Sequence, residues 1–329
     1  MARPRRSLGR MTDQRHLAVR SPEDLLACVP LLLGFLPAES VVMLGLPPDP
    51  AFHARVDIAP APELPRMCQA LVAPALKHRL GRVVLCVFTD LDAAGVVVQE
   101  LLAAFRVAGI EVREVITADG RNWRTMLTAE ELGEHQTYGS YDALSHRFVA
   151  EAVVAGQVVL ASRERLALSL APDPAAAAKV ASALAVQAVP DPSWVVRTTA
   201  AHAAAGTCPT PRETARLVVA LVDLDCRDVA WGTVRRAEAR AHLDVWLGVC
   251  RATPTPLVAA PAAVAAFLAW LAGDGALSWC ALDRSREAGV PCSLAGLVED
   301  LLQQAVSPLD WRPVLPEPRS ADPWTGGAA

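Results

Sequence analysis

Two aspartates just past an apolar run, in "FTDLDAAG" (Phe88–Gly95), have a type and spacing that could do covalent chemistry. Haloacid-dehalogenase-type phosphotransferases begin with such an Asp-x-Asp pair at a strand end. One carboxylate attacks phosphorus and both help to hold Mg²⁺. Asp90 and Asp92 have that spacing, and strand C-termini in α/β sheets are where ligands usually bind. That motif continues with Gly-Thr, whereas Ala93-Ala94 follow here, and no paired-Asp metal motif follows at a later strand. Asp92 as the N-cap of a helix over Ala93–Ala108 explains the same residue more simply.

A second stretch, "GFLPAES" (Gly34–Ser40), sets Glu39 and Ser40 between two apolar runs. A Walker A loop needs a second Gly and a Lys, and a nucleophile elbow needs Gly-x-Ser-x-Gly between strand and helix. Neither is met. The physical reading is a helix stopped by Gly34 in a left-handed conformation and blocked by Pro37. Ser40 or Glu39 then satisfies free backbone groups in the turn. The minority reading is a surface pocket lined by Glu39 and Ser40.

A third, "ADGRNWRTM", places Arg121, Trp123 and Arg124 past a turn, and "EHQTYGSYD" follows with Tyr138 and Tyr141. Guanidinium groups beside an indole could hold an anion or stack on a base. They serve equally as the two faces of an edge strand, and both readings stay open. The histidines form no HxH or HExxH pattern and no His/Cys cluster, so no metal site is assigned. No cofactor is assigned, and no Ser/His/Asp set can be assembled from the order of residues.

These residues must be positioned by the elements around them. Ser21-Pro22-Glu23-Asp24 reads as a helix start, with Ser as N-cap, Pro at the first position and two acids in the first turn. "SVVMLGL" and "FHARVDI" read as strands, and Pro62–Arg79 as a helix. "RVVLCVF" reads as a central strand covered on both faces. "EVREVITA" is a strand, and Asp119-Gly120 is a hairpin signal leading into "RNWRTML". The alternation implies an α/β layer structure with a mixed sheet over residues 21–171. From Ser145 onward strands fade, and residues 172–306 are expected to form an all-α domain. Residues 1–20 are expected to be a disordered basic tail, with Met1 or Met11 as the start. Residues 307–329 are expected to be a Pro-rich disordered tail.

The chain has 329 residues, is 53% hydrophobic and carries a net charge of −4. That is enough apolar content for a large core, and no global field attracts nucleic acid. The eight cysteines include no Cys-x-x-Cys pair, which suits free buried thiols in a reducing cytoplasm. "ATPTPLVAAPAAVAAFLAWLAG" (Ala252–Gly273) is long enough to span a bilayer. Its three prolines and alanine content favour a buried helix instead, so no membrane association is expected. "GDGALSWCALDRSREAGVP" has the look of the second helix of a tetratricopeptide unit. One unit cannot bury its own face, and a helical hairpin inside a bundle is the simpler reading.

Several stretches together resemble a bacterial family known as domain of unknown function 4192. They include "SPEDLLACVPLLLGFLPAESVVMLGL", "ARVDI", "DGRNW", "YGSYD", "AEAVVAGQVVLASRERLALSLAP", "LVDLDCRDVAW" and "FLAWLAGDGALSWCALDRS". The resemblance covers the chain from about Ser21 to Ala305. It implies cytoplasmic proteins with no established activity, cofactor or catalytic residues. The family-like positions are Gly34, Pro37, Ser40, Arg55, Asp57, Gly120, Arg121, Trp123, Tyr138, Gly139, Ser162, Arg163 and Glu164. The segment between Trp123 and Tyr138 is shorter here than in that pattern.

The ligand-binding candidates are therefore Glu39, Ser40, Arg55, Asp57, Arg121, Trp123 and Tyr138. The leading expectation is a non-enzymatic cytoplasmic module that binds a protein partner through its helical part, or a small ligand. The competing expectation is a Mg²⁺-dependent phosphohydrolase or nucleotide-binding enzyme with its site near Asp90. A convergence of Ser40, Arg55, Asp57, Arg121 and Trp123 on one cleft would favour a binding site.

Overall fold

The structure, a computed structural model, describes residues 20–47, 52–126, 138–154, 158–184 and 191–314. The chain divides into two compact units between Arg165 and Leu166. The expected N-terminal tail, "PPDP" from Pro48, and the segment after Met126 lie outside the described residues.

The first unit begins with α1 (Pro22–Leu33). Ser21 caps it by accepting the Asp24 N–H, and Gly34 ends it at φ +80°. The sequence marks both ends because only those two positions need a short hydroxyl and a residue without a Cβ. The strands β1 (Ser40–Gly45) and β2 (His53–Asp57) follow. Then come α2 (Leu64–Lys77), β3 (Arg82–Phe88), α3 (Ala94–Val107) and β4 (Glu111–Ala118). The short strands β5 (Asn122–Thr125) and β6 (Tyr138–Ser140) and the helices α4 (Arg147–Val154) and α5 (Arg163–Ala167) come last. The sheet is mixed, six-stranded, in the order β2-β1-β3-β4-β5-β6, with β3 and β4 parallel and the other pairs antiparallel.

One face of the sheet carries Val41, Met43, Val83, Leu85, Val87 and Val115 into a core filled by α2 and α3. Leu71, Leu101 and Phe105 are fully buried there. The other face meets α1, whose Glu23 accepts a hydrogen bond from the Trp123 indole. α1 also packs on α4 through Ala27, Cys28 and Phe148. Strands covered on both faces read as unbroken apolar runs, which is why "RVVLCVF" was visible in the sequence. At the α1–α4 seam His146 Nε2 lies 3.1 Å from Asp24 Oδ1, and His146 Nδ1 accepts from the Phe148 amide. Both ring nitrogens are occupied, so this pair ties two helices together.

The second unit is helical: α6 (Pro174–Ala183), α7 (Pro192–Ala205), α8 (Pro211–Ala220), α9 (Leu224–Gly232), α10 (Ala239–Ala252), α11 (Ala259–Ala272), α12 (Gly275–Arg286) and α13 (Ser293–Gln303). α11 is the central helix, with nearly every side chain buried against α9, α10, α12 and α13. The Ser278 and Ser285 hydroxyls donate to the Ala266 and Ala259 carbonyls and pin α12 to it. The tetratricopeptide-like stretch is thus a hairpin inside a bundle. The long uncharged run becomes a 14-residue buried helix preceded by a 3-10 turn, and no described helix is long and apolar enough to cross a membrane.

One expectation is corrected at the C-terminus. Ser307–Val314 is not a tail. Trp311 packs against Trp231, Phe267 and Trp270, its indole N–H donates to the Val234 carbonyl, and the Val314 amide donates to the Gly232 carbonyl. Trp311 is partly buried, and partial burial of an aromatic side chain contributes roughly 1–2 kcal/mol to holding the segment down. The rest of that tail, from Leu315, lies outside the described residues.

Candidate functional site

The strand registers align one residue from every strand in a single transverse row: Asp57, Ser40, Phe88, Ala118, Trp123 and Gly139. Laterally paired residues share a face, so this row lies on the α1 side at the C-terminal end of β3 and β4. The row contains three of the sequence candidates, and a fourth, Arg55, lies two residues along β2 on the same face.

The candidates do not meet in one cleft. Ser40 and Trp123 are three strands apart, about 14 Å at ordinary strand spacing. Two clusters form instead. In the first, Arg55 donates to Asp57 Oδ1 at 2.6 Å, and its guanidinium carbon sits 5.4 Å from the centre of the Phe35 ring. Phe35 is placed by backbone bonds of Leu36 to the Leu160 carbonyl and of Leu160 to the Gly34 carbonyl. This brings Ser162 and Glu164 alongside. A hydrogen bond from Ser162, aided by the Arg163 and Arg55 charges, lowers the Glu164 carboxyl below its ordinary value. The Ser40 side chain is fully buried and its Oγ has no hydrogen-bond partner; Arg55 Nε is likewise buried and unpartnered.

The expectation that Ser40 satisfies the turn is therefore not met, and Glu39 acts differently from either reading. Glu39 adopts φ +41°, the left-handed region, which costs a residue with a Cβ roughly 1–2 kcal/mol. Its carboxylate accepts from the Thr89 hydroxyl at 3.0 Å, and its carbonyl accepts from the Ile58 amide. It thereby joins the start of β1 to the end of β3.

The second cluster is at β4–β6. Asp119 Oδ1 accepts the Arg121 and Asn122 amides at 2.8 and 2.7 Å, closing the hairpin. The Asn122 amide, then the Arg121 amide and the Asn122 side chain, hold the Asp119 carboxyl below its usual value. Trp123 is buried, with its indole N–H on Glu23 at 3.1 Å. The Arg121 side chain is exposed, and Tyr138, beside Arg124, points to the opposite face from Trp123. Burial raises the Tyr141 phenol to about 12.

At the remaining candidate, the turn-closing role read for Asp92 falls to Asp90. Asp90 Oδ1 accepts the Asp92 and Ala93 amides, so Asp90 closes the turn that leads into α3. Asp92 is not its N-cap; it is almost wholly exposed and lies 3.6 Å from Arg124. Among the described residues no three His, Cys, Asp or Glu side chains gather as a metal site would require.

Sequence reasoning missed a further group in the helical unit, where His202 touches Thr207 and Glu213. Its members are ordinary residue types near two helix ends, and nothing in their order distinguishes them from capping residues.

A mixed six-stranded sheet layered with helices and a helical remainder define the class of this protein. The family model described as "Domain of unknown function (DUF4192)" matches residues 22–309, and the chain belongs to that family. No curated protein and no solved structure matches it.

Proposed function

We propose that the α/β unit is a non-enzymatic module that binds a small polar ligand beside Ser40 and Arg55. One observation carries the reading: Ser40 Oγ and Arg55 Nε are buried, unpartnered, and on one face of adjacent strands. Each unsatisfied buried group costs about 1–3 kcal/mol. A ligand oxygen between them would accept from both. Asp57, well exposed, would take a donor on the same ligand. With Asp57 and Glu164 beside Arg55 and Arg163, the local charge is balanced and favours a neutral or zwitterionic ligand such as a nucleoside, sugar or amino acid over a polyphosphate.

A protein partner is less favoured, because the helical hairpin expected to receive it is the core of the bundle. The phosphohydrolase reading is less favoured because the Asp90 carboxylate already serves two backbone amides. The two units are read as separate domains. All eight cysteines are free, which supports a cytoplasmic location. Nucleic acid is not expected as a partner at a net charge of −4.

The test is equilibrium dialysis against nucleosides, sugars and amino acids, comparing the full chain with Arg55→Met. Methionine keeps the contact with Phe35 and removes the donors. Retention of a compound by the native chain alone supports the reading. Equal retention by both, or retention by neither, overturns it.

A further inference from the structure

Gly206, at φ +63°, caps the end of α7, and α8 starts five residues later at Pro211 under a Thr210 cap. Between them His202 Nδ1 lies 2.8 Å from Thr207 Oγ1, and His202 Nε2 lies 3.5 Å from Glu213 Oε2. The same Oε2 accepts the Thr210 amide at 2.8 Å and the Thr210 hydroxyl at 2.7 Å. The His202 ring is largely buried, and Thr207 is exposed. The Thr207 amide donates to the His202 carbonyl at 3.1 Å, so the loop is tied to the helix that carries the imidazole.

The protonation pattern follows from these contacts. Burial acts to raise the Glu213 carboxyl; the Thr210 hydrogen bonds and the His202 interaction outweigh it and leave it below its ordinary value. An ionised carboxylate only accepts, so the relay uses the tautomer with its proton on Nε2. Nδ1 then offers a lone pair to the Thr207 O–H. Thr210 has no such base, since its hydroxyl donates to the carboxylate directly.

We infer that Thr207, His202 and Glu213 form a nucleophile–base–acid relay able to transfer the acyl group of an activated ester to Thr207 Oγ1. In the first step Oγ1 forms a bond to the ester carbonyl carbon, and its proton moves to Nδ1. The bond from that carbon to the leaving oxygen breaks, and the proton passes from Nδ1 to the leaving group. In the second step water attacks the threonyl ester and gives a proton to Nδ1. The C–Oγ1 bond breaks, and Oγ1 regains the proton. Glu213 stays ionised and holds the imidazolium, as the acid of such relays does. Thr207 and His202 are the catalytic residues and Glu213 is a positioning residue. The proposal is independent of the ligand site in the α/β unit.

The probe is p-nitrophenyl acetate with the full chain. The expected result is release of nitrophenolate above the buffer rate, with one acetyl group found by mass spectrometry on Thr207. Thr207→Ala and His202→Gln should each lower the rate roughly a hundredfold. Thr207→Ser should restore it, and Glu213→Gln should change the shape of its pH profile. Thr207 is exposed, so its variants should keep the native circular-dichroism spectrum at the assay temperature. Acetylation elsewhere, an undiminished rate in Thr207→Ala, or no rate above buffer would overturn the relay.

Discussion

Trp123 and Gly139 face one another across β5 and β6, and the indole fills the space a side chain at 139 would need. A Cβ on Gly139 would lie 2.9 Å from the Trp123 Nε1 and 3.0 Å from two ring carbons. The indole has no easy retreat, being buried and held at Nε1 by Glu23. Gly139→Ala should therefore destabilise the α/β unit by about 1–3 kcal/mol. Urea denaturation checks this. A variant as stable as the native chain would mean that the indole can shift freely.

Asp90 and Asp92 should separate cleanly. Asp90 Oδ1 satisfies two amides in the turn before α3, so Asp90→Ala should cost about 1 kcal/mol. Asp92 makes one long contact from an exposed position, so Asp92→Ala should stay within about 0.5 kcal/mol of the native chain. The reverse order of losses in thermal melts would return the capping role to Asp92.

These two aspartates show where the sequence stops being legible. Ser21, Pro22 and Gly34 each have one physical reason to stand where they do, and the helix they mark is the one observed. Two short acids two residues apart can each cap a helix, and only the turn geometry decides between them. The buried strand "RVVLCVF" and the Asp119-Gly120 hairpin were readable because their signals are local. The transverse row of Asp57, Ser40 and Trp123 was not, because it depends on the register of six strands. Trp311 was hidden by its proline-rich neighbours, since the indole's partners lie far back in the chain.

His242 on α10 gives a pH dependence with a definite sign. Burial holds its imidazole below the ordinary value of 6.5, against a smaller opposing effect of Glu238. The unfolded chain therefore takes up the proton first. The contribution to stability is complete above 6.5 and is lost as pH falls toward the lower folded value. The lowered carboxyls, Asp119, Asp142, Glu164 and Glu213, act below their ordinary values of 3.8 and 4.5, outside that window. Denaturation midpoints at about pH 7.5 and pH 5.5 should differ less in His242→Phe than in the native chain. An equal difference in both would remove His242 as the cause.

Thiol reactivity should follow burial. Cys208 is exposed, whereas Cys28 and Cys226 are pushed to about 11 and Cys250 to about 12, chiefly by burial. A thiol-specific reagent should label Cys208 first in the native chain, and Cys208→Ser should abolish that fast phase. Fast labelling that survives the substitution would show another thiol opening to solvent.

The measurement that bears most directly on the ligand site is a thermal melt of the native chain and Ser40→Ala, each with nucleosides, sugars and amino acids. The hydroxyl is buried and unpartnered, so its removal relieves a cost of about 1 kcal/mol or more. Ser40→Ala alone should melt about 2–4 °C higher. At least one compound should raise the melting temperature of the native chain and leave that of Ser40→Ala unmoved. A variant that melts lower, or a panel that moves both proteins equally or neither, would contradict a ligand site at Ser40.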